Sequence, residues 1–261
     1  MGSQPFPCRR LRVAYAVSPR SDAFRLDPIR VLQDLGLYPL PHALCAEGHI
    51  VALDNVSLAL QPGEFSGLVG PSGSGKTTLL NIVGSLDEPT SGRAVVLGED
   101  VAQLDERRAA RLRDLHIGFI FQTFNLLPVY SVFENVEFPL LLLRQPAERR
   151  KRAVVDALER VGLGDRAASR PHQLSGGQCR RVAIARAIVK SPQIVLADEP
   201  TANLDAENSH KVIRIMQDLN RELGTTFLFS THDEKVVGYL QRTITLSDGR
   251  VASDETGSPG P

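Results

Sequence analysis

The chain has 261 residues, 42% of them hydrophobic, which is enough for one large α/β domain or two closely joined lobes. Thirty basic residues balance thirty acidic ones, and this neutral charge argues against a general nucleic-acid binder. Cys8, Cys45 and Cys179 have neither metal-ligand spacing nor an even count, which favours a reducing compartment, and no apolar run approaches the roughly 18 to 20 residues that span a bilayer.

Residues 1–47 carry scattered prolines and arginines without a regular period, so we interpret them as an atypical, weakly ordered N-terminal extension. A regular pattern begins at His49, where strand-like IVALDNVSLAL precedes the turn QPGE and the apolar strand FSGLV. A second strand-like piece, RAVVLGEDV, follows the turn PTSG further along the chain. The first functional motif lies between FSGLV and RAVVLGEDV.

Directly after FSGLV comes a glycine-rich loop that ends in a lysine and two threonines and leads into a helical pattern. It matches G-x-x-x-x-G-K-[ST], in which backbone amides and the dipole of the following helix bind phosphate. Lys76 would reach the β- and γ-phosphates, the Thr77 hydroxyl would hold Mg²⁺, and Thr78 would support the phosphates. The alternative is a glycine-rich turn that binds nothing. The predicted nucleotide-binding residues of this loop are Gly70, Pro71, Ser72, Gly73, Ser74, Gly75, Lys76, Thr77 and Thr78.

The sequence changes character over residues 123–175, where apolar residues recur at helical spacing with charges between them. SVFENVEFPLLLLR and ERRKRAVVDALERVGL each predict a helix, and Gly162 and Gly164 close the second one. The charge run from Glu148 to Arg152 fits a solvated helix face better than a nucleic-acid site. We therefore expect a short helical insertion here.

The apolar stretch IVLADEP predicts a buried strand that delivers two carboxylates at its C-terminal end, where α/β sheets bind their ligands. Asp198 is placed to bind Mg²⁺ directly or through water, and Glu199 to polarise the water that attacks the γ-phosphate. The alternative is that both acids cap the helix that starts near Asp205.

LSGGQ, from Leu174 to Gln178, offers a serine hydroxyl and paired glycine amides at the start of a helix, which is a second anion-binding nest. One nucleotide does not need two such nests on opposite lobes. The economical interpretation is a head-to-tail pair, in which the nest of one subunit closes over the γ-phosphate that the other subunit holds.

Together these stretches resemble an ABC transporter ATP-binding subunit over roughly residues 48–252, which leaves 253–261 as a flexible tail. The Walker A, Q-loop, signature, Walker B, D-loop and switch motifs correspond, in order, to GPSGSGKT, FIFQTFNLLP, LSGGQ, IVLADEP, NLD and STHD. The resemblance implies an α/β P-loop NTPase fold with a RecA-like core, an antiparallel β subdomain and a helical subdomain at about residues 123–180.

The same resemblance assigns roles to single residues and implies ATP and Mg²⁺ as the bound groups. Gln122 would contact Mg²⁺ and the attacking water while it senses the membrane partner, and His232 would contact the γ-phosphate. For His232 the alternative is a polar residue at a helix N-terminus. Asp205, the acid of the D-loop, is a further predicted nucleotide-binding residue. The residues that would bind the partner subunit's nucleotide are Ser175, Gly176, Gly177 and Gln178.

The details FNLLPVYSVFENV, ADEPTANLD and FSTHD are similar to the branch with lipoprotein-releasing, macrolide-exporting and cell-division ATPases. This likeness implies a homodimer or paired ATPase subunit that drives an integral membrane permease, for export or lipoprotein release, at the cytoplasmic face of the plasma (inner) membrane. Two alternatives stay open: a mechanotransmission ATPase that controls an extracytoplasmic enzyme through its permease, and a soluble ABC ATPase of DNA repair or translation. The soluble class predicts a long coiled-coil insertion or two cassettes in one chain, and this sequence has neither.

Two positions depart from the family pattern. The family usually places an aromatic residue upstream of the ALDNV-like strand to stack on adenine, but here that neighbourhood reads HALCAEGH and Tyr38 lies far upstream. Cys179 directly follows LSGGQ, where the branch commonly has glutamine. We interpret this cysteine as a packing variation rather than a reactive thiol.

Overall fold

The computed structural model describes residues 12–14 and 51–257 of the chain. Its strands are β1 (Arg12–Ala14), β2 (Ser57–Leu58), β3 (Phe65–Val69), β4 (Arg93–Val96), β5 (Glu99–Asp100), β6 (Ile117–Ile120), β7 (Ile194–Asp198), β8 (Thr226–Thr231), β9 (Arg242–Ser247) and β10 (Arg250–Thr256). Its α-helices are α1 (Lys76–Val83), α2 (Glu106–His116), α3 (Val132–Leu142), α4 (Ala147–Arg160), α5 (Gly176–Ile188), α6 (Ala206–Leu223) and α7 (Glu234–Val237).

The central element is a six-stranded sheet in the order β10-β9-β3-β8-β7-β6, in which the five strands from β9 to β6 are parallel. Strand β7 is apolar over residues 194–197 and β8 over residues 227–229, and both are almost wholly buried, as expected for a parallel sheet with both faces covered. The rings of Phe227 and Phe229 pack on Phe65, with centroids 5.7 and 5.2 Å away. The loops that carry the predicted site residues follow directly from strands of this sheet.

A second, antiparallel sheet has the order β2-β1-β4-β5. RAVVLGEDV, predicted as one strand-like piece, forms two strands here because Leu97 and Gly98 both have positive φ angles, 52° and 89°. A two-residue hairpin turn of type I′ requires that conformation at both central positions. The antiparallel β subdomain implied by the resemblance is therefore confirmed.

The helical subdomain contains α3 and α4, which pack against α5. A capping box between Ser131 and Glu134 starts α3, because the serine hydroxyl accepts from the Glu134 amide while the glutamate accepts from the Ser131 amide. The predicted charge run from Glu148 to Arg152 lies on α4 and is mostly exposed. Its interpretation as a solvated helix face is confirmed.

The two ends of the chain differ from the boundaries expected from sequence. Residues Arg12–Ala14, inside the predicted extension, form a strand that pairs with both β2 and β4, whereas the rest of residues 1–47 lies outside the described part. Strand β10 passes the predicted boundary at residue 252 because its backbone pairs with β9 as far as Thr256. Within the described residues, no helix combines the length and the apolar character that crossing a bilayer requires.

Candidate nucleotide site

Four predicted site segments meet at one edge of the parallel sheet. The loop from Gly70 follows β3, His232 follows β8, Asp198 ends β7 and Gln122 lies just beyond β6. These four strands are neighbours and run parallel, so their C-terminal ends share an edge. Ligands of open α/β sheets bind at this edge, so the topology accounts for the clustering.

The phosphate loop depends on glycines that no other residue could replace. An ideal Cβ on Gly70 would lie 2.2 Å from the Leu246 carbonyl oxygen, and one on Gly75 would lie 2.5 Å from the Ala52 carbonyl oxygen. Both glycines also have φ angles in the left-handed range, 153° and 98°. The loop therefore packs tightly on strand β9 and on the segment before β2.

Lys76 is the first residue of α1 and is buried, with 7% of its surface exposed. Its Nζ donates to the carbonyl oxygens of Gly70 and Pro71, both at 2.8 Å, and an ammonium has a third donor beyond these two. Gly75 at the N-cap gives α1 no side-chain capping bond. The first amides of this helix thus lack the internal acceptor that a serine or aspartate would provide.

The predicted metal ligands Thr77 and Asp198 are in contact, with the threonine Oγ1 3.3 Å from each carboxylate oxygen. Ser230, at the end of β8, donates to Asp198 Oδ1 at 2.6 Å and accepts from the Glu199 amide at 3.0 Å. Sequence reasoning missed Ser230. The signal was its place in the STHD motif, but only the parallel pairing of Asp198 with Ser230 shows which residue it serves.

Glu199 has a φ angle of 47°, in the left-handed region that residues other than glycine rarely adopt. Backbone strain of this kind costs of order 1–3 kcal/mol and clusters at functional sites, where surrounding contacts hold it. His232 Nδ1 lies 2.8 Å from Glu199 Oε1, and the imidazole is 69% exposed whereas the carboxylate is 14% exposed. The two predicted catalytic residues therefore form a hydrogen-bonded pair, in which the histidine faces solvent and the glutamate is mostly buried.

The backbone of Gln122 is held by a residue that the sequence analysis did not select. Arg180, on helix α5, donates to the carbonyl oxygens of Phe121 and Gln122 at 2.5 and 2.7 Å. Its side chain has no exposed surface, and this burial lowers the pKa of Arg180 to about 10. Charged donors to backbone carbonyls leave no sequence pattern, so only the fold reveals this contact.

The predicted signature nest lies at the start of α5. Ser175 Oγ accepts from the Gln178 amide at 3.3 Å, and the Gln178 side chain accepts from the Ser175 amide at 2.9 Å, which makes a capping box. A Cβ on Gly176 would have Leu204 and Phe124 as its nearest neighbours, and one on Gly177 would meet Asn208. The nest thus contacts the D-loop and Q-loop regions of its own chain.

Asp205 is the N-cap of α6, where its carboxylate accepts from the Asn208 amide at 2.9 Å and from the Asn208 side chain at 2.6 Å. These bonds lower the pKa of Asp205. The alternative in which Asp198 and Glu199 cap this helix is wrong, since Asp205 does so. Tyr38, considered for adenine stacking, lies outside the described residues.

Cys179 is buried, with 7% of its surface exposed, and its Sγ lies 3.6 Å from the Pro171 carbonyl oxygen. Burial raises the pKa of the Cys179 thiol. A raised pKa lowers the thiolate fraction and with it the reactivity. This is the environment of a packing residue, as the sequence analysis expected.

Comparison with known proteins agrees with this geometry. A family profile described as "ABC transporter" matches residues 53–202. The macrolide export ATP-binding/permease protein MacB of Burkholderia thailandensis is 49% identical over 206 residues, which are 78% of this chain and 31% of that protein. The ABC transporter ATP-binding protein YtrE of Bacillus subtilis is 47% identical over 78% of this chain and 88% of its own length. The chain therefore spans about a third of the MacB relatives and most of YtrE.

A solved structure described as the dimeric post-hydrolysis state of the ATP-binding cassette MJ0796, bound to ADP and Pi, superimposes with a TM-score of 0.77. It is 36% identical and covers 95% of this chain and 98% of its own. The fold is therefore that of a P-loop ABC ATPase, as predicted. On the profile, the relatives and the structural match together, this chain belongs to the ABC transporter family.

Proposed function

We propose that this chain is the ATP-binding and ATP-hydrolysing subunit of an ABC transporter, which dimerises around two Mg²⁺-ATP molecules and drives a membrane permease. The observation that carries the proposal is the meeting of the phosphate loop with Thr77, Asp198, Glu199 and His232 at one sheet edge. Macrolide export by the MacB relatives and lipoprotein release by the resembling branch support an export or release role. On this proposal the subunit works at the cytoplasmic face of the plasma membrane through its permease.

The residues present fit a bound nucleotide. Helix α1 starts without a side-chain cap, and the Ser74 Oγ is buried with no hydrogen-bond partner among the described residues. Such orphaned donors and a helix N-terminus suit a phosphate, and the Lys76 ammonium adds a fixed positive charge. Ser72, Gly73 and Thr78 complete the loop that we assign to the phosphates.

The residues present also fit Mg²⁺, which takes oxygen ligands from one or two carboxylates together with substrate phosphates. We assign the Thr77 hydroxyl and the Asp198 carboxylate to the ion, with Gln122 as a further ligand from the neighbouring strand end. When bound, Mg²⁺ would neutralise charge on the phosphate oxygens. Ser230 keeps Asp198 in place, because its hydroxyl donates to the carboxylate that faces Thr77.

Glu199 is the proposed general base. Its left-handed backbone and the Ser230 bond to its amide fix where the carboxylate points, and His232 lies beside one of its oxygens. The carboxylate can accept a proton from a water molecule, and the histidine keeps it oriented. His232 is exposed enough to contact a phosphate that lies over the loop.

Dimerisation completes the site on this proposal. Ser175 caps helix α5, which begins with Gly176 and Gly177, and Asp205 caps the adjacent helix α6. The dimeric MJ0796 cassettes support a head-to-tail pair in which these residues, with Gln178, contact the partner subunit's nucleotide. Opening and closing of such a dimer would be a population shift set by different affinities for ATP and its products.

Substitution of Lys76 tests the assignment directly. Lys76→Ala should abolish ATP hydrolysis and weaken nucleotide binding, because it removes the charge placed against the β- and γ-phosphates. Phosphate release and calorimetric ATP binding should be measured on the purified chain, with the exposed Lys211→Ala as the matched control. Hydrolysis by Lys76→Ala at the rate of Lys211→Ala would remove the phosphate-loop assignment.

A further inference from the structure

Helix α5 carries two arginines that bind the chain just after β6. Arg180 donates to the carbonyl oxygens of Phe121 and Gln122, and Arg186 donates to those of Phe124 and Asn125 at 3.0 and 2.5 Å. The Arg180 guanidinium also lies 4.9 Å from the centre of the Phe124 ring. Four carbonyls within residues 121–125 are thus bound to a single helix.

Burial of these two guanidinium groups carries a desolvation cost. Arg180 is the largest side chain among those that are fully buried, and its Nε has no partner within the described residues. Burial lowers the pKa of Arg180 and of Arg186 to about 10, with no carboxylate contributing to either shift. A buried cation without a carboxylate partner costs several kcal/mol in desolvation unless its other contacts repay it. Arg180 lies between two segments of the candidate site, which suggests a functional reason for this cost.

The two segments are the signature nest and the Q-loop of the same chain. Helix α5 begins directly after Ser175, and Arg180 lies about 7 Å further along the helix axis. Gln122 lies two residues beyond the end of β6, so one side of it is anchored in the core sheet. The Arg180 guanidinium therefore joins the helix that begins at the nest directly to the main chain of Gln122.

We propose that Arg180 is a positioning residue for Gln122, which couples the signature nest to the Q-loop within one subunit. The inference rests on the proposed function, since it assumes that Gln122 serves bound Mg²⁺-ATP. When the partner subunit's nucleotide binds the nest, helix α5 shifts. The Arg180 bonds to Phe121 and Gln122 transmit that shift to the subunit's own nucleotide site. Arg180 touches no substrate in this scheme and acts only through Gln122.

The neighbouring arginine provides a matched control. Arg181 lies on the same helix and also donates to two carbonyl oxygens, those of Val161 and Gly162, at 2.8 and 3.0 Å. These carbonyls follow helix α4 and are not part of the Q-loop. Arg181→Met therefore removes a comparable pair of bonds without touching Gln122.

The experiment is a double-mutant cycle on steady-state ATP hydrolysis. Arg180→Met should lower kcat by roughly 10- to 100-fold, as a small misplacement of a catalytic group does, with KM for ATP unchanged. In a Gln122→Ala background the same substitution should lower kcat no further, because its effect passes through Gln122. Arg181→Met should leave kcat unchanged in both backgrounds.

An equal fall of kcat on Arg180→Met in both backgrounds would overturn the inference, since it would mark a general structural role. So would a normal kcat in the single variant. If Arg180→Met fails to fold by circular dichroism, Arg180→Lys decides instead, because it keeps the charge but not the paired bonds, and it must show the same non-additivity. A wild-type chain that does not hydrolyse ATP would refute the proposed function itself, which keeps the two failures distinct.

Discussion

The phosphate-loop edge and the signature nest differ in how far each is completed by its own chain. At the edge, Lys76, Thr77, Asp198 and Glu199 contact groups from several strands and loops. At the nest, the Ser175 hydroxyl accepts from the Gln178 amide, within its own helix turn. On the proposed function, the edge is the assembled part of a shared site, and the nest is the part that contacts the partner subunit's nucleotide.

Ser175→Arg should have the largest effect, because it should impair the signature nest and leave the phosphate-loop edge intact. This change fills the nest with a long cation, so ATP-dependent dimerisation and turnover should be lost, while the phosphate-loop edge of the monomer still binds ATP. Calorimetry on the folded variant and size-exclusion chromatography measure the two properties separately. Ala102→Arg, an exposed change on the antiparallel-sheet side, is the control. Loss of ATP binding by the Ser175→Arg monomer would mean that the nest serves its own subunit's nucleotide.

A smaller effect should come from Gly177→Ala. The added Cβ would lie 2.5 Å from Asn208 Oδ1, so the asparagine side chain must move and give up its bond to Asp205. Overpacking of this kind costs roughly 1–3 kcal/mol, so the free energy of unfolding should fall by about that much. Gly176→Ala, whose nearest neighbour would be 3.8 Å away, should leave thermal unfolding unchanged. Equal stability of the two variants would contradict the close packing of nest and D-loop helix.

The structure of the phosphate-loop edge is easier to predict from sequence than that of the nest, because local sequence patterns determine most of the edge. The strand Phe65–Val69, the glycine-rich loop and the helix after it are contiguous, so one motif yields their conformation. The carboxylates are recognisable because they end an apolar strand. What sequence could not supply is the order of strands, and therefore Ser230, which reaches Asp198 only because β7 and β8 are neighbours.

The same limit applies to contacts between the helical subdomain and the core. Arg180 is one of two adjacent arginines shortly after the signature, with no distinctive spacing, and its bonds to Phe121 and Gln122 span almost sixty residues of chain. Strand β1 was missed for a different reason. Three residues are too few to show a period of two, and β1 forms because two strands on either side of it present unpaired backbone groups.

The measurement that tests the shared site most directly is the oligomeric state of Glu199→Gln with Mg²⁺-ATP. Loss of the general base should slow hydrolysis by about 10²- to 10⁴-fold while the binding residues stay in place. With ATP held between Lys76 of one subunit and Ser175 of the other, the variant should accumulate as a stable dimer in size-exclusion chromatography. Asp198→Asn should lose Mg²⁺ affinity and the dimer, and the exposed Glu148→Gln should behave as wild type.

A wild-type chain should return to monomer after turnover in the same experiment, whereas Glu199→Gln should stay dimeric for as long as ATP is bound. This contrast is expected because, on the proposed function, the two regions complete one site only while the nucleotide is intact. A Glu199→Gln protein that binds ATP, hydrolyses it slowly and still elutes as a monomer would contradict the shared site. Hydrolysis at the normal rate would instead move the catalytic role from Glu199, with His232 as the next candidate.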